Sequence, residues 1–291
     1  MLGGTRYIAT QGPRDTSTSH FWRMLASETS NSAVVVMLTQ THEAGREKCF
    51  QYFPLDDTNS TMTITPDPEI ADDFEAQITL ASSNDDVRSH STIRHLKLRT
   101  KKKKTGVEGG EDEWTDKHVY HLLFSGWPDF LVPEGDDKMA LVELIKLSRL
   151  LNKNASPPSS SSFDAHEQQQ QDTTLRNKSV SSIASNTSTS TSTRTSRFFL
   201  AGPQDLNPRI IHCSAGVGRS GTFIALDHLL MRLDAGQLDE VPGNADPVAE
   251  TVDKLRRQRM MMVQGEAQFC FLYDVLRTLW VERWRNRGRV G

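Results

Sequence analysis

The chain has 291 residues, 36% of them hydrophobic and 24% charged, with a formal net charge of −3. That length accommodates one large domain or two small ones, and the charge balance gives no footprint of a nucleic-acid-binding surface. Its three cysteines, Cys49, Cys213 and Cys270, are odd in number and unclustered, which argues against a disulfide scaffold or a zinc site and fits a reducing compartment.

Tyr7-Ile8-Ala9-Thr10-Gln11-Gly12-Pro13 predicts a short strand closed by a Gly-Pro turn. Phe21, Trp22 and Leu25 then recur at helical spacing within Ser17 to Glu28, after a Ser/Thr-rich start, and predict a core helix. Ala33 to Leu38 is a continuous Val-rich run, as expected of a central strand buried on both faces and lying beside the strand that ends at His212. Alternating apolar positions predict strands over Thr61 to Thr65, Glu75 to Leu80 and Ser91 to Leu98. Lys101 to Lys104 opposes Glu111, Asp112 and Glu113 across three glycines, which reads as a long hairpin tip whose return strand is Val119 to Phe124. That strand delivers Gly126-Trp127-Pro128-Asp129-Phe130 just ahead of a helix over Met139 to Leu151.

From Ser156 to Ser196 the chain is nearly all Ser, Thr, Gln and Asn, a composition that cannot bury a core. It is expected to be a disordered, low-complexity insertion (156–196) dividing one folded domain into an N-terminal part, 1–155, and a C-terminal part, 197–291. Beyond it, Ile210-Ile211-His212 ends a β-branched apolar run, and an amphipathic run starts near Gly221 with Phe223, Ile224, Leu226 and Leu229, so the order is strand, tight loop, helix. Two further helices are predicted. Pro247 to Arg257 places Val248, Val252 and Leu255 on one face, and the last helix runs through Trp284. No apolar run reaches the length of a membrane span and the N-terminus has no signal-peptide pattern, so the expected location is the cytoplasm, with the nucleus as a second compartment.

The loop between the Ile210 strand and its helix carries the chemistry. Gly216 and Gly218 allow backbone conformations that a Cβ forbids, so the amides of Ser214, Ala215, Gly216, Val217 and Gly218 can point inward at one tetrahedral anion, with the helix end adding its partial positive charge. The same dipoles and Arg219 favour a thiolate at Cys213, poised for in-line attack on a phosphate ester. Arg219, six residues on, can grip two phosphate oxygens with its planar fork, which Lys cannot. A Cys followed six residues later by Arg is weak by itself; the whole run His-Cys-Ser-Ala-Gly-x-Gly-Arg-Ser-Gly between strand and helix is specific.

This run resembles the signature of the tyrosine-specific protein phosphatases, and the likeness extends over most of the chain. Tyr7 to Pro13, the Lys48-Cys49-Phe50-Gln51-Tyr52-Phe53-Pro54 run and Gly126 to Phe130 are similar to further motifs of that family. Dual-specificity phosphatases generally lack the first two, rhodaneses lack the Trp-Pro-Asp loop, and the low-molecular-weight phosphatases reverse the order of cysteine and acid. The resemblance implies an α/β fold, a twisted mixed β-sheet flanked by helices. It also implies a non-receptor-type enzyme that hydrolyses phosphotyrosine in proteins without metal or cofactor.

Residue by residue, it implies that Cys213 attacks, that Arg219 and the loop amides hold the phosphoryl oxygens, and that Asp129 protonates the leaving oxygen and then serves as base. Gln264, with Gln268 as a second glutamine, would orient the water; Ser220 would stabilise the departing thiolate and His212 would help set its pKa. Glu43 matches the family's residue that orients the arginine, and Lys48 lies on the same loop. Where the family has Pro or Gly near Met260 and Met261, the bulkier Met261 is expected to narrow the groove beside the pocket. The Ser/Thr/Gln-rich insertion is similar to those of fungal phosphatases that act on MAP kinases, which offers MAP kinases as one class of partner.

Measured against the family, the chain starts late. Two helices, a first strand and a phosphotyrosine-recognition loop would precede Tyr7, so the Tyr7 strand is expected to lack a partner. The alternative reading is a truncated, weakly active or non-catalytic phosphotyrosine-binding module.

Overall fold

The computed structural model describes residues 4–54, 60–66, 74–102, 113–128, 131–154 and 207–287. All of them fall in one compact unit, while the segment 158–204, and with it nearly all of the expected insertion, lies outside the described residues. So do Asp129, Phe130 and residues 103–112 of the predicted hairpin tip, whose flanking strands pair up to Lys102 opposite Glu113.

Seven strands form one mixed sheet: β1 (Tyr7–Gln11), β2 (Ser32–Met37), β5 (Thr61–Ile64), β6 (Ala76–Asp86), β7 (Ser91–Lys102), β8 (Glu113–Phe124) and β9 (Arg209–Cys213), in the order β1-β9-β2-β8-β7-β6-β5. Two-residue strands β3 (His42–Glu43) and β4 (Arg46–Glu47) make a separate hairpin. The helices are α1 (Thr18–Glu28), α2 (Asp136–Asn154), α3 (Gly218–Asp234), α4 (Pro247–Gln258) and α5 (Glu266–Arg287). Among the described residues no helix is long and apolar enough to cross a membrane.

The Val-rich run explains where the core sits. All six β2 residues are buried, and because side chains alternate across a strand, Val34, Val36 and Leu38 feed one apolar cluster while Ala33, Val35 and Met37 feed another. The first cluster is shared with α2, α3, α4 and α5; the second is shared with α1, through Phe21, Trp22 and Leu25. β2 lies between β8 and β9 and is parallel to both, so it neighbours the strand that passes through His212, as expected.

Most predicted elements recur with shifted ends. β6, β7 and β8 run well beyond the apolar segments that announced them, because antiparallel pairing carries polar residues along once the apolar part has set the register. The C-terminal helices extend similarly. α4 starts where proline at the first helical position and the Asp246 side chain, which accepts from the Val248 and Ala249 amides at 3.1 and 3.0 Å, cap it. One expectation is overturned. β1 does not lack a partner: it pairs in parallel with β9, Tyr7 opposite Arg209 through Gln11 opposite Cys213. Tyr7 also reaches α3, its hydroxyl donating to the buried Asp227 carboxylate at 2.8 Å, where Arg209 and Arg149 converge as well.

Candidate active site

Alternation along β9 decides what surrounds the cysteine. Ile211 and Cys213 face the helix side with α3, whereas Ile210 faces the α1 side, as does His212, whose ring lies 5.9 Å from that of Phe21. The Gly12 amide donates to Ser214 O at 3.0 Å and the Leu38 amide to His212 O at 2.9 Å, so neighbouring strand ends fix the backbone on both sides of Cys213.

From Ser214 the chain turns through Gly216, at φ +73°, into α3. The Gly216 amide donates to Cys213 Sγ at 3.2 Å, an inward N–H of the kind an anion cradle needs. No side chain caps α3, so the amides at its first turn remain directed at the loop. Cys213 itself is 5% exposed.

Arg219, in the first turn of α3, is buried and held by a two-pronged pair: Nη1 to Glu43 Oε1 at 2.6 Å and Nη2 to Glu43 Oε2 at 2.7 Å, with Nη1 also donating to Leu38 O at 2.9 Å. Glu43 is held in turn by the Thr39 hydroxyl at 2.8 Å and the Gln40 amide at 3.1 Å. The small β3–β4 hairpin therefore sets the plane of the guanidinium. Lys48 stands at its base, its amide donating to Thr41 O at 2.8 Å.

Gln264 and Gln268 reach the loop from the far end of the chain. A Cβ on Gly218 would lie 3.0 Å from Gln268 Oε1 and 3.4 Å from Gln264 Cβ, and Gln268 Oε1 accepts from the Gln264 amide at 3.0 Å. Arg256 shapes that approach by donating to Met262 O and Val263 O at 3.0 and 2.8 Å. Met261 and Val263 there adopt φ +66° and +57°, the left-handed region that a β-branched residue enters only when its surroundings impose it. Met261 is 55% exposed. Ser220 is fully buried, and its Oγ has no hydrogen-bond partner among the described residues, an orphan donor within the helix turn behind the cysteine.

Asp129 lies outside the described residues, but the ends of its loop do not. Trp127 is buried against Phe124 and Phe271, and its indole N–H donates to Leu131 O at 3.0 Å, a bond between the residues on either side of the Asp129 position.

A family model described as protein-tyrosine phosphatase matches residues 3–278. The chain belongs to the protein-tyrosine phosphatase family. It is 30% identical to Tyrosine-protein phosphatase 1 of Saccharomyces cerevisiae over 291 residues, covering 94% of this chain and 69% of the yeast protein. It is also 30% identical, over 93% of its length, to the Phosphatidylinositol phosphatase PTPRQ of Rattus norvegicus, of which it spans 8%. The protein tyrosine phosphatase TcPTP1 of Trypanosoma cruzi shares the fold, with a TM-score of 0.61 at 19% identity, over 94% of this chain and 67% of that one.

Within this protein-tyrosine phosphatase chain, two polar residues at the site carried no role in the sequence reading. Tyr52 stood inside a quoted motif without one, and nothing local marked His121. Both are fully buried, and Tyr52 Oη lies 2.6 Å from His212 Nε2 and 2.8 Å from His121 Nε2.

The glycine in the phosphatase loop provides a sharp test of this geometry. A Cβ on Gly216 would stand 2.2 Å from Thr10 O and 2.7 Å from the Gln11 amide, both backbone atoms of β1, at a φ that already disfavours any side chain. Gly216→Ala is expected to lower stability by about 3 kcal/mol and to weaken vanadate binding on the order of 100-fold. Thermal melting and a vanadate titration check it; an unchanged melting temperature would show that β1 and the loop are not packed this closely.

Proposed function

We propose that the chain hydrolyses phosphotyrosine in proteins through a cysteinyl-phosphate intermediate. The observation that carries this reading is the convergence, at one strand-to-helix turn, of the Cys213 sulfur, the inward Gly216 N–H and an Arg219 fork fixed by Glu43. In the first step the Cys213 thiolate attacks phosphorus, the bond to the tyrosyl oxygen breaks, and Asp129 gives that oxygen its proton. Negative charge developing on the phosphoryl oxygens meets the loop amides and Arg219.

In the second step water, oriented by Gln264 and Gln268, attacks phosphorus and gives a proton to Asp129. The sulfur–phosphorus bond breaks, returning thiolate and inorganic phosphate. The buried Ser220 hydroxyl, which has no partner among the described residues, is suited to donate to that departing sulfur. The reaction requires no metal or cofactor. Its setting on this reading is intracellular signalling, in the cytoplasm and nucleus, where free thiols persist and where Cys49, Cys213 and Cys270 are unpaired. Phosphorylated MAP kinases are one class of substrate consistent with the composition of the 156–196 segment.

Asp129→Ala tests the division of labour. Turnover of a phosphotyrosine peptide is expected to fall by about 10²- to 10⁴-fold, the usual contribution of a general acid, while alkylation of Cys213 proceeds normally and phosphotyrosine proteins are retained on the immobilised variant. Undiminished turnover would remove Asp129 from the mechanism, and failure to retain any phosphotyrosine protein would count against the substrate class.

A further inference from the structure

We propose that His121 is a positioning residue of this site, acting on Cys213 through Tyr52 and His212 without touching substrate. The inference rests on the hydrolytic reading above. It starts from the sheet. His121 on β8 stands opposite Val35 of β2, and His212 on β9 stands opposite Met37 of the same strand, so both imidazoles lie on the α1 face, two strand spacings apart. Adjacent strands are about 4.8 Å apart, too far for the two rings to meet directly. Tyr52 bridges them with one hydroxyl, at 2.8 Å from His121 and 2.6 Å from His212.

The protons along this chain can run in one direction. His212 Nδ1 faces Cys213 O at 3.4 Å, and a carbonyl can only accept, so Nδ1 carries the hydrogen and Nε2 is left as an acceptor. Tyr52 then donates to His212 Nε2, and its oxygen accepts from His121 Nε2–H. That leaves His121 Nδ1 as a bare lone pair, and this atom is buried without a hydrogen-bond partner among the described residues. The opposite order would set two acceptors face to face at Cys213 O and bury an N–H with nothing to accept it, the rarer and costlier orphan.

Every donor therefore points toward the nucleophile's own carbonyl. The same carbonyl lies close to Gly12, where an added Cβ would stand 2.8 Å from it. A carbonyl held by the His212 N–H is kept from turning its negative end into the anion cradle, which leaves the amides that follow turned inward. Burial keeps both rings neutral: His212 is pushed down to about 4, and His121 well below its ordinary value with the Arg94 guanidinium adding to the effect. The relay thus holds one polarity near neutral pH. The other charged or titratable groups facing it are Arg94 from β7 and Cys49 beside Tyr52, while Arg219 of α3 is itself paired with Glu43.

The test uses the full chain and reads the pH dependence of Cys213 alkylation by iodoacetate, followed at that residue by mass spectrometry, alongside kcat and KM for p-nitrophenyl phosphate. His121→Leu is expected to move the alkylation midpoint upward by about half a unit to one unit, which corresponds to a roughly three- to tenfold lower thiolate fraction below the midpoint. KM should change little. His121→Gln, whose amide can donate to Tyr52 from the same position, should restore the wild-type profile to within about twofold, as expected if the donor rather than the ring is what matters. Tyr52→Phe should shift the midpoint at least as far as His121→Leu, and combining the two should add nothing.

A folded His121→Leu whose profile superimposes on wild type overturns the proposal, as do equal shifts for Leu and Gln or additive shifts in the double variant. Should His121→Leu fail to fold, His121→Asn, polar but too short to reach Tyr52, takes its place with the same outcomes. A wild-type chain without phosphatase activity would instead sink the hydrolytic reading, while the alkylation profile would still decide whether His121 acts on Cys213.

Discussion

Replacing Cys213 by Ser is expected to lower turnover of an aryl phosphate by about 10⁴-fold or more, the scale on which enzymes lose rate when a nucleophile acting as part of a unit is removed. The serine hydroxyl fits the same space but is not ionised near neutral pH. Phosphate should still bind, because the loop amides, the α3 N-terminus and Arg219 are untouched. Cys49 cannot take over, since burial first and the Glu47 carboxylate second push its thiol up to about 12. Chelator should leave the wild-type rate unchanged. Steady-state kinetics together with phosphate binding by calorimetry check the prediction, and metal-dependent activity that survives Cys213→Ser would overturn the mechanism.

The second large effect is expected at Glu43. Its carboxylate and the Arg219 guanidinium are only 9% and 8% exposed, so removing the carboxylate takes this counter-ion from a buried charge. Breaking such a pair costs about 3–5 kcal/mol. Glu43→Ala should therefore lower the melting temperature sharply and reduce kcat/KM on the order of 100-fold, since a fork free to rotate no longer meets the phosphoryl oxygens in register. Glu43→Gln retains acceptor and shape but not charge, and should fall between. If Glu43→Ala lowers stability while kcat/KM is unchanged, the pairing serves the fold and Arg219 is oriented by its other contacts, Leu38 O among them.

These effects differ in how far they could be foreseen. The role of Cys213 rests on a local pattern, because strand, glycine-bearing loop, arginine and helix follow one another within a few residues, and such short-range geometry leaves a mark in the sequence. The Glu43–Arg219 pair joins residues 176 apart in the chain. It was anticipated only through likeness to a family, and its two-pronged geometry and the Thr39 and Gln40 contacts behind it had no signal of their own.

The strands show the same boundary. The apolar run from Ala33 to Leu38 announced a strand buried on both faces, since only such a strand has no polar side to show. The lengths of β6, β7 and β8 were misjudged because their distal halves are polar and are held by pairing rather than by burial. β1 was expected to stand without a partner, yet β9 supplies one, a pairing between segments about 200 residues apart that neither segment's composition reveals.

By itself the sequence determined the order of the main elements and the strand buried on both faces, and it pointed to Cys213, its glycine-bearing loop and Arg219 as the candidate site. Each depends on spacing within one segment, where the periods of helix and strand and the conformational freedom of glycine act directly. The tertiary structure alone decided that Gln264 and Gln268 stand against Gly218, that β1 presses its backbone on Gly216, and that Tyr52 joins His121 to His212. Those contacts follow from sheet order and from which face of each strand meets which helix. They arise when distant apolar faces are buried together, and the polar groups carried along with them must then find partners in whatever neighbourhood that burial creates.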